Sequence, residues 1–355
     1  MYTENAMQLT TVVSVRGERT ALLLMMRQFN TACNALSRIA FVEGIFAWLP
    51  LQRRAYYWLR EEYGLTGVQA TVAIRKVAAA YRKKARRESL AVFRPLGAIP
   101  VCAHRYKRDG TVLLYGMRCP VIARPGVMLS SKHQATLVYR DGRFFMHQVI
   151  DQPEAAPIAP SNFLGCDLGI VNILADSDGK TYAGGRLSGL RRRHARLRDR
   201  LQRKGTRSAR RLLRQRRMRE ARFGRDINHG ISKQVVAKAL DTGRGIALED
   251  LGGIRDRITV RKRQRRQHHA WSFFQLRSFI EYKARLSGVP VILVDPHNTS
   301  RTCPACGLVD KANRKTQAMF SCTSCGFAGP ADVIAAGNIS RRAVSLQPHA
   351  ATLVG

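Results

Sequence analysis

The sequence predicts an α+β chain of several domains: a small N-terminal β-barrel with an inserted helical domain, then an α/β domain with a cysteine knuckle inserted near its C-terminus. Three observations predict this. Short alternating strands flank a helical block in the first half. A strand-rich then helix-alternating pattern fills the second half. Cys303, Cys306, Cys322 and Cys325 form two C-x-x-C pairs. With 355 residues and 45% hydrophobic content the chain is long enough for two or three domains, each with its own core.

The elements follow in order. Leu9 to Val15 alternates and is β-branched, which predicts a strand. Residues 21–43 carry Leu22, Met26, Phe29, Cys33, Leu36 and Ile39 on one helical face. A second helix is predicted over 51–63, ended by Gly64, and a third from Gly67 to about Glu88. The third has an apolar side (Val68, Val72, Ile74, Val77, Tyr81) and a basic end that includes Arg75, Lys76, Arg82 and Lys83. That end reads as a phosphate-contacting surface, the alternative being a solvated helix face. Residues 98–150 turn to short strands with Asp109-Gly110 and Asp141-Gly142 as hairpin signals. The proline-containing segment 152–160 reads as a linker.

A second domain opens with the buried strand Phe163 to Gly169, continues through 171–175 and 181–184, and then becomes extremely basic. Residues 191–225 hold Arg192, Arg196, Arg203, Arg210, Arg214 and Arg217 among many other arginines, opposed only by Asp199 and Glu220, with Gly205 expected to divide the stretch into two helices. A helix over 227–240, a strand over 246–251, a basic loop over 255–267, a helix over 271–286, a strand over 289–294, the knuckle and a last helix over 332–344 complete it. Boundaries follow: 1–15 with 92–155 for the barrel, 16–91 for the helical domain, 161–300 with 329–345 for the α/β domain, 301–328 for the knuckle, and 346–355 for a tail.

The charge restricts the partner. Lys plus Arg number 61 against 24 acids, a formal charge of +37. Such self-repulsion calls for a polyanion, and nucleic acid is the first choice because neutralising phosphates releases counterions; anionic lipid is the weaker alternative. No apolar run is long enough to span a bilayer, and no signal-like segment opens the chain, so a cytoplasmic protein without a membrane partner is expected.

The chemistry lies in two clusters. The paired cysteines predict a structural Zn²⁺ site, since that spacing brings four thiolates to a tetrahedron. Omitting the knuckle and the arginine helices leaves strand, strand, strand, helix, strand, helix, strand, helix, the order of an RNase H-like fold. Asp167 ends its first strand, Glu249 its fourth, and Asp332 starts its last helix. Together they predict a carboxylate triad for two Mg²⁺ (or Mn²⁺) ions that cleave phosphodiesters. Taken singly, Asp167 is also a plausible turn residue, Asp332 a plain N-cap and Glu249 an exposed strand end, with Asp250 a substitute for Glu249.

On these residues the chain resembles the TnpB family, transposon-encoded nucleases related to compact type V CRISPR effectors. Asp167-Leu168-Gly169 resembles the first RuvC motif and Ala247-Leu248-Glu249-Asp250-Leu251 the second. The run from Asp295 through Thr302 to Cys303 and Gly307 resembles the entry to the zinc element, and Ala331-Asp332 with Asn338-Ile339 resembles the third motif. Ile334 stands where the family usually has asparagine, and Gly337 is less usual there. The resemblance implies a RuvC-like nuclease that uses a guide RNA to find and cut double-stranded target DNA beside a short adjacent motif. A nuclease-dead RNA-guided repressor, an RNase H-like transposase and a non-catalytic RNA-binding zinc protein are the alternatives.

Overall fold

A computed structural model describes residues 6–82, 87–169, 171–251 and 273–346. The basic loop expected over 255–267, Trp271, Lys83 and the tail beyond residue 346 lie outside the described residues, as does the side chain of Arg217. The chain divides into two compact units, 1–153 and 154–355.

In the first unit, β1 (Ala6–Val15) leads into α1 (Arg19–Val42), α2 (Trp48–Tyr63) and α3 (Gly67–Ala80), followed by β2 (Ile99–Val101), β3 (Arg105–Tyr106), β4 (Thr111–Leu114), β5 (Met117–Ile122), β6 (Ala135–Arg140) and β7 (Arg143–Pro153). The strands form one seven-stranded sheet in the order β2-β6-β7-β1-β5-β4-β3. Asp141 and Gly142, both at positive φ, close the two-residue β6–β7 hairpin. The expected barrel exists as a curl without a closing ladder. Seven strands laid flat would span about 29 Å, yet the edge strands β2 and β3 are joined by Cys102-Ala103-His104, which reaches about 14 Å at most. The sheet must therefore bend back on itself.

The three helices pack on this sheet through one core that includes Met26, Phe29, Leu36, Leu59, Ile74, Leu137 and Met146, so the expected barrel and helical domains form a single unit. Thr66 caps α3 in a reciprocal box with Gln69. The helix stops at Ala80 rather than near Glu88. Buried Tyr81 caps it, and its hydroxyl contacts the Ser37 hydroxyl and accepts from the Ala91 N–H, which turns the chain back across α1.

The second unit holds β8 (Phe163–Asp167), β9 (Asn172–Asp176), β10 (Thr181–Ala183), α4 (Gly185–Lys204), α5 (Arg207–Asp241), β11 (Gly245–Glu249), α6 (Phe273–Leu286), β12 (Val291–Val294), β13 (Met319–Ser321), β14 (Ala328–Pro330) and α7 (Ala331–Leu346). Its main sheet runs β10-β9-β8-β11-β12. The first strand is central, antiparallel to β9 and parallel to β11, which is parallel to β12. Leu164, Cys166, Ile246 and Leu248 share one core with Val235 of α5 and Ile280 of α6, while Phe163, Ala247 and Val294 share another with Ile339 of α7. Helices thus cover both faces, and the central strands read as continuous apolar runs.

Two expectations change here. The separate helix over 227–240 is the C-terminal half of α5. Only Gly205, left-handed at φ 61°, divides the basic stretch, with Thr206 capping the restart through the Ala209 N–H. The segment after Pro153 is not a free tether. The N–H of Ala155 donates to Leu286, that of Ile158 to Gly288, and Glu154 pairs with Arg285 at 2.7 Å.

Candidate functional site

Three local rules bring the carboxylates within range of one another's charge. Residue pairing sets Leu248 beside Cys166 in the parallel β8–β11 ladder, so Glu249 and Asp167 are the next pair at the C-terminal ends of adjacent strands. Alternation then fixes their face. Leu248 and Cys166 point to the α5–α6 core, so Glu249 and Asp167 point to the α7 side. Asp250 points the other way, and its carboxylate pairs with Arg277 of α6 at 2.9 Å, which removes it as a substitute for Glu249.

The third acid comes from α7. Gly165 lets this helix lie directly on β8: a Cβ there would sit 1.9 Å from the Ala336 carbonyl oxygen and 2.7 Å from the Ser340 nitrogen. The Ser340 hydroxyl donates to the Phe163 carbonyl at 2.5 Å. Two strand residues advance about 6.7 Å and four helical residues about 6 Å, so Phe163–Ser340, Gly165–Ala336 and Asp167–Asp332 fall in step.

Burial pushes the Asp167 carboxyl up to about 7, and the charges of Glu249 and Asp332 push the same way against Arg314. Glu249 is also raised by burial, opposed by the Thr299 hydroxyl and by Arg342 and Arg314. Around the acids, Asn172 donates to Asp332 at 2.9 Å, Arg314 donates to its other oxygen at 3.3 Å, and Thr299 donates to Glu249 at 2.5 Å. Mutual repulsion in a set of oxygen donors suits a hard divalent cation.

The four cysteines converge as the spacing predicts. Their sulfurs all lie within 4.8 Å of one another, with Cys303–Cys325 at 3.6 Å and Cys306–Cys322 at 3.5 Å. Sulfurs about 2.3 Å from a tetrahedral centre stand about 3.8 Å apart, whereas a disulfide needs about 2 Å. The group could therefore hold a metal ion. Gly307 and Gly326 adopt positive φ after each pair. Against burial, backbone N–H groups lower the Cys303 thiol, and backbone N–H groups likewise lower Cys322, whereas burial and the neighbouring cysteines raise Cys325. Buried Asn313 staples the knuckles together, donating to the carbonyls of Arg301 and Leu308 while accepting from Thr323. Ile334 faces this element, packed with Ala331, Cys303, Phe320 and Cys322.

The basic candidates divide. Arg192, Arg196 and Arg203 are exposed and share a face of α4; Arg210 and Arg214 are exposed on α5. Arg75 is exposed and lies over the Trp48 ring at 5.2 Å; Arg82 is exposed. Lys76 is occupied internally. Its ammonium donates to Asn30 at 2.7 Å and to the Ala98 carbonyl at 2.8 Å, and it lies over the rings of Phe29 and Phe93. Tyr56 and Trp58 pack on the core while Tyr57 is 69% exposed, and His229 stacks on Phe279 at 3.9 Å.

Sequence reasoning missed Thr299, Asn172, Asn338 and Arg314 as partners of the site. Their nearness to the motifs in sequence was the available signal; which acid each would touch was not.

A Cas12f1-like TNB domain model matches residues 273–339, which span α6, β12, the cysteine element and the start of α7. The CRISPR-associated endodeoxyribonuclease Cas12f1 of Sulfoacidibacillus thermotolerans is 41% identical over 121 residues, 34% of this chain and 27% of that protein. The TnpB-like protein MJ0751 of Methanocaldococcus jannaschii is 36% identical over 125 residues, 35% of this chain and 44% of that protein. These matches thus span less than half of each relative's length. The protein in a Cas12f1–sgRNA–target DNA complex shares the α+β fold, with a TM-score of 0.61 at 14% identity over 90% of this chain and 82% of that one. Among the described residues no helix is long and apolar enough to cross a membrane. The family-model match is thus centred on the cysteine element and the segments that flank it.

Proposed function

We propose that this protein is an RNA-guided DNA endonuclease whose second unit is a RuvC-like, RNase H-type nuclease domain with an inserted zinc ribbon. One observation carries the reading: burial raises the Asp167 carboxyl, and Glu249 at the next strand end and Asp332 at a helix start lie close enough for their charges to add to that rise. The strand order, with an antiparallel meander followed by two parallel strands, supports the RNase H-like reading. The relatives' names supply the substrate class, DNA cut under RNA guidance.

Asp167, Glu249 and Asp332 would hold Mg²⁺ or Mn²⁺. Such ions, when bound, activate water and stabilise the leaving oxygen of a phosphodiester. The chain's own contribution is placement. Thr299 and Asn172 fix carboxylate oxygens, and Arg314 supplies a positive charge beside Asp332 that a scissile phosphate can share. Cys303, Cys306, Cys322 and Cys325 would hold Zn²⁺, a role that suits a reducing cytoplasm. The exposed arginines of α4 and α5 would follow the backbone of guide RNA or its heteroduplex, where sequence reading is left to base pairing. The first unit would bind RNA and read the target-adjacent motif.

Purifying the protein with its native flanking DNA, sequencing the bound RNA and assaying cleavage with Mg²⁺ tests this. A single enriched RNA that directs cleavage of a matching duplex is the expected result. Random RNA with no guided cleavage, or joining of transposon ends without RNA, would overturn it.

A further inference from the structure

Buried Thr299 occupies the bend between β12 and the cysteine element and donates its hydroxyl to Oε1 of Glu249 at 2.5 Å. The same hydroxyl lies 3.1 Å from the Pro296 carbonyl, but it has one proton, and the carboxylate is nearer and charged. Thr299 is itself held. The buried side chain of Asn338 spends both amide protons on its loop, one on the Thr299 carbonyl and one on the Thr302 carbonyl, each at 2.8 Å. Thr302 adjoins Cys303, and Asn313 grips the Arg301 carbonyl from the ribbon side. Hydrogen bonds joined by the backbone of the 298–302 loop therefore connect the cysteine knuckle and α7 to a carboxylate of the site.

We propose that Thr299 is a positioning residue: its hydroxyl engages one oxygen of Glu249 so that the other faces the metal, and Asn338 with the folded knuckle holds Thr299 in place. A glutamate has three side-chain torsions, and without this bond the carboxylate could turn away from Asp167. The knuckle would then be more than a stabilising insertion, because its folding would set the aim of a metal ligand about fifty residues earlier in sequence. This inference rests on the metal-nuclease reading above.

The test is Mn²⁺ titration of the full-length protein with its bound RNA, following free Mn²⁺ by electron paramagnetic resonance, alongside zinc content and melting temperature. Thr299→Val keeps the shape and removes the hydroxyl. It should weaken Mn²⁺ binding roughly 10-fold and slow guided cleavage at least as much, with zinc content and melting temperature near those of the wild type. Thr299→Ser should restore both. Cys303→Ser should weaken Mn²⁺ binding like Thr299→Val. Should Thr299→Val fail to fold, Thr299→Ala carries the same expectation. Unchanged Mn²⁺ binding without the hydroxyl, or a serine variant as impaired as valine, would overturn the positioning role. Unchanged Mn²⁺ binding in Cys303→Ser would overturn the link to the knuckle. Glu249→Gln separates the two levels: if it too leaves Mn²⁺ binding intact, the carboxylate-metal reading itself is wrong, whereas loss of binding there beside a normal Thr299→Val rejects only the proposal.

Discussion

Gly165 and Ala336 touch backbone to backbone, so closely that a methyl group on Gly165 would lie 1.9 Å from the Ala336 carbonyl oxygen. This contact sets α7 on the central strand and brings Asp332 to Asp167. Gly165→Ala must push the helix off the strand, at a cost of about 2–4 kcal/mol, and should abolish cleavage even where the fold survives. Gly337, one residue along the same helix, has open space around its Cβ position. Gly337→Ala should stabilise by about 0.5–1 kcal/mol through helix propensity. Chemical denaturation of the two variants checks both signs. A tolerated Gly165→Ala would mean the helix does not lie where this contact places it.

On the proposed function, Asp167→Ala should abolish cleavage while RNA and duplex binding persist. Binding and cutting measured on the same preparation separate these. Loss of binding would make the residue structural.

The raised Asp167 carboxyl predicts a pH dependence with a definite sign. Between the ordinary carboxylate range and about 7, the folded metal-free chain holds a proton that the unfolded chain has released. This group's effect on stability is therefore neutral below that range, turns unfavourable as pH rises through it, and levels off above about 7. Raised Glu249 acts in the same direction. Asp167→Asn should thus raise the melting temperature of metal-free protein at pH 8 and change it little at pH 4. Divalent metal affinity should fall as pH drops below about 7, because protons compete for the ligand. A pH-independent affinity over that range would contradict the raised value.

Cys303→Ser removes one of four converging thiols and should release zinc, seen as less than one zinc per chain. It should also loosen the core that Ile334 and Phe320 share with Cys303 and Cys322. Full zinc content in the variant would exclude the four-sulfur site.

The arginine stripe and Lys76 should behave oppositely. Replacing Arg192, Arg196 and Arg203 together should weaken RNA binding and lower the salt dependence of affinity by about one unit for each phosphate no longer neutralised, with little effect on stability. Lys76→Met strands Asn30 Oδ1 and the Ala98 carbonyl and should destabilise the first unit by roughly 1–3 kcal/mol without changing that salt slope. Filter binding over a salt series, with melting curves, distinguishes them.

The sequence alone determined what local chemistry encodes. Two C-x-x-C pairs dictated a four-sulfur cluster, apolar strands ending in Asp167 and Glu249 marked the ends of a buried sheet, Asp141-Gly142 marked a hairpin, and the arginine stretch marked an exposed basic surface. Each rests on residues within a few positions of one another. The tertiary structure alone decided relations between distant residues. Register, not composition, put Glu249 on the α7 face and Asp250 on the face of Arg277. A glycine's missing Cβ set the helix that delivers Asp332. The inward turn of Lys76 separated it from the exposed arginines, and Thr299 met Glu249 only because Asn338 and the ribbon hold its loop. Spacing along the chain fixes which face a side chain takes, but the partner waiting on that face is supplied by another element, and only packing brings the two together.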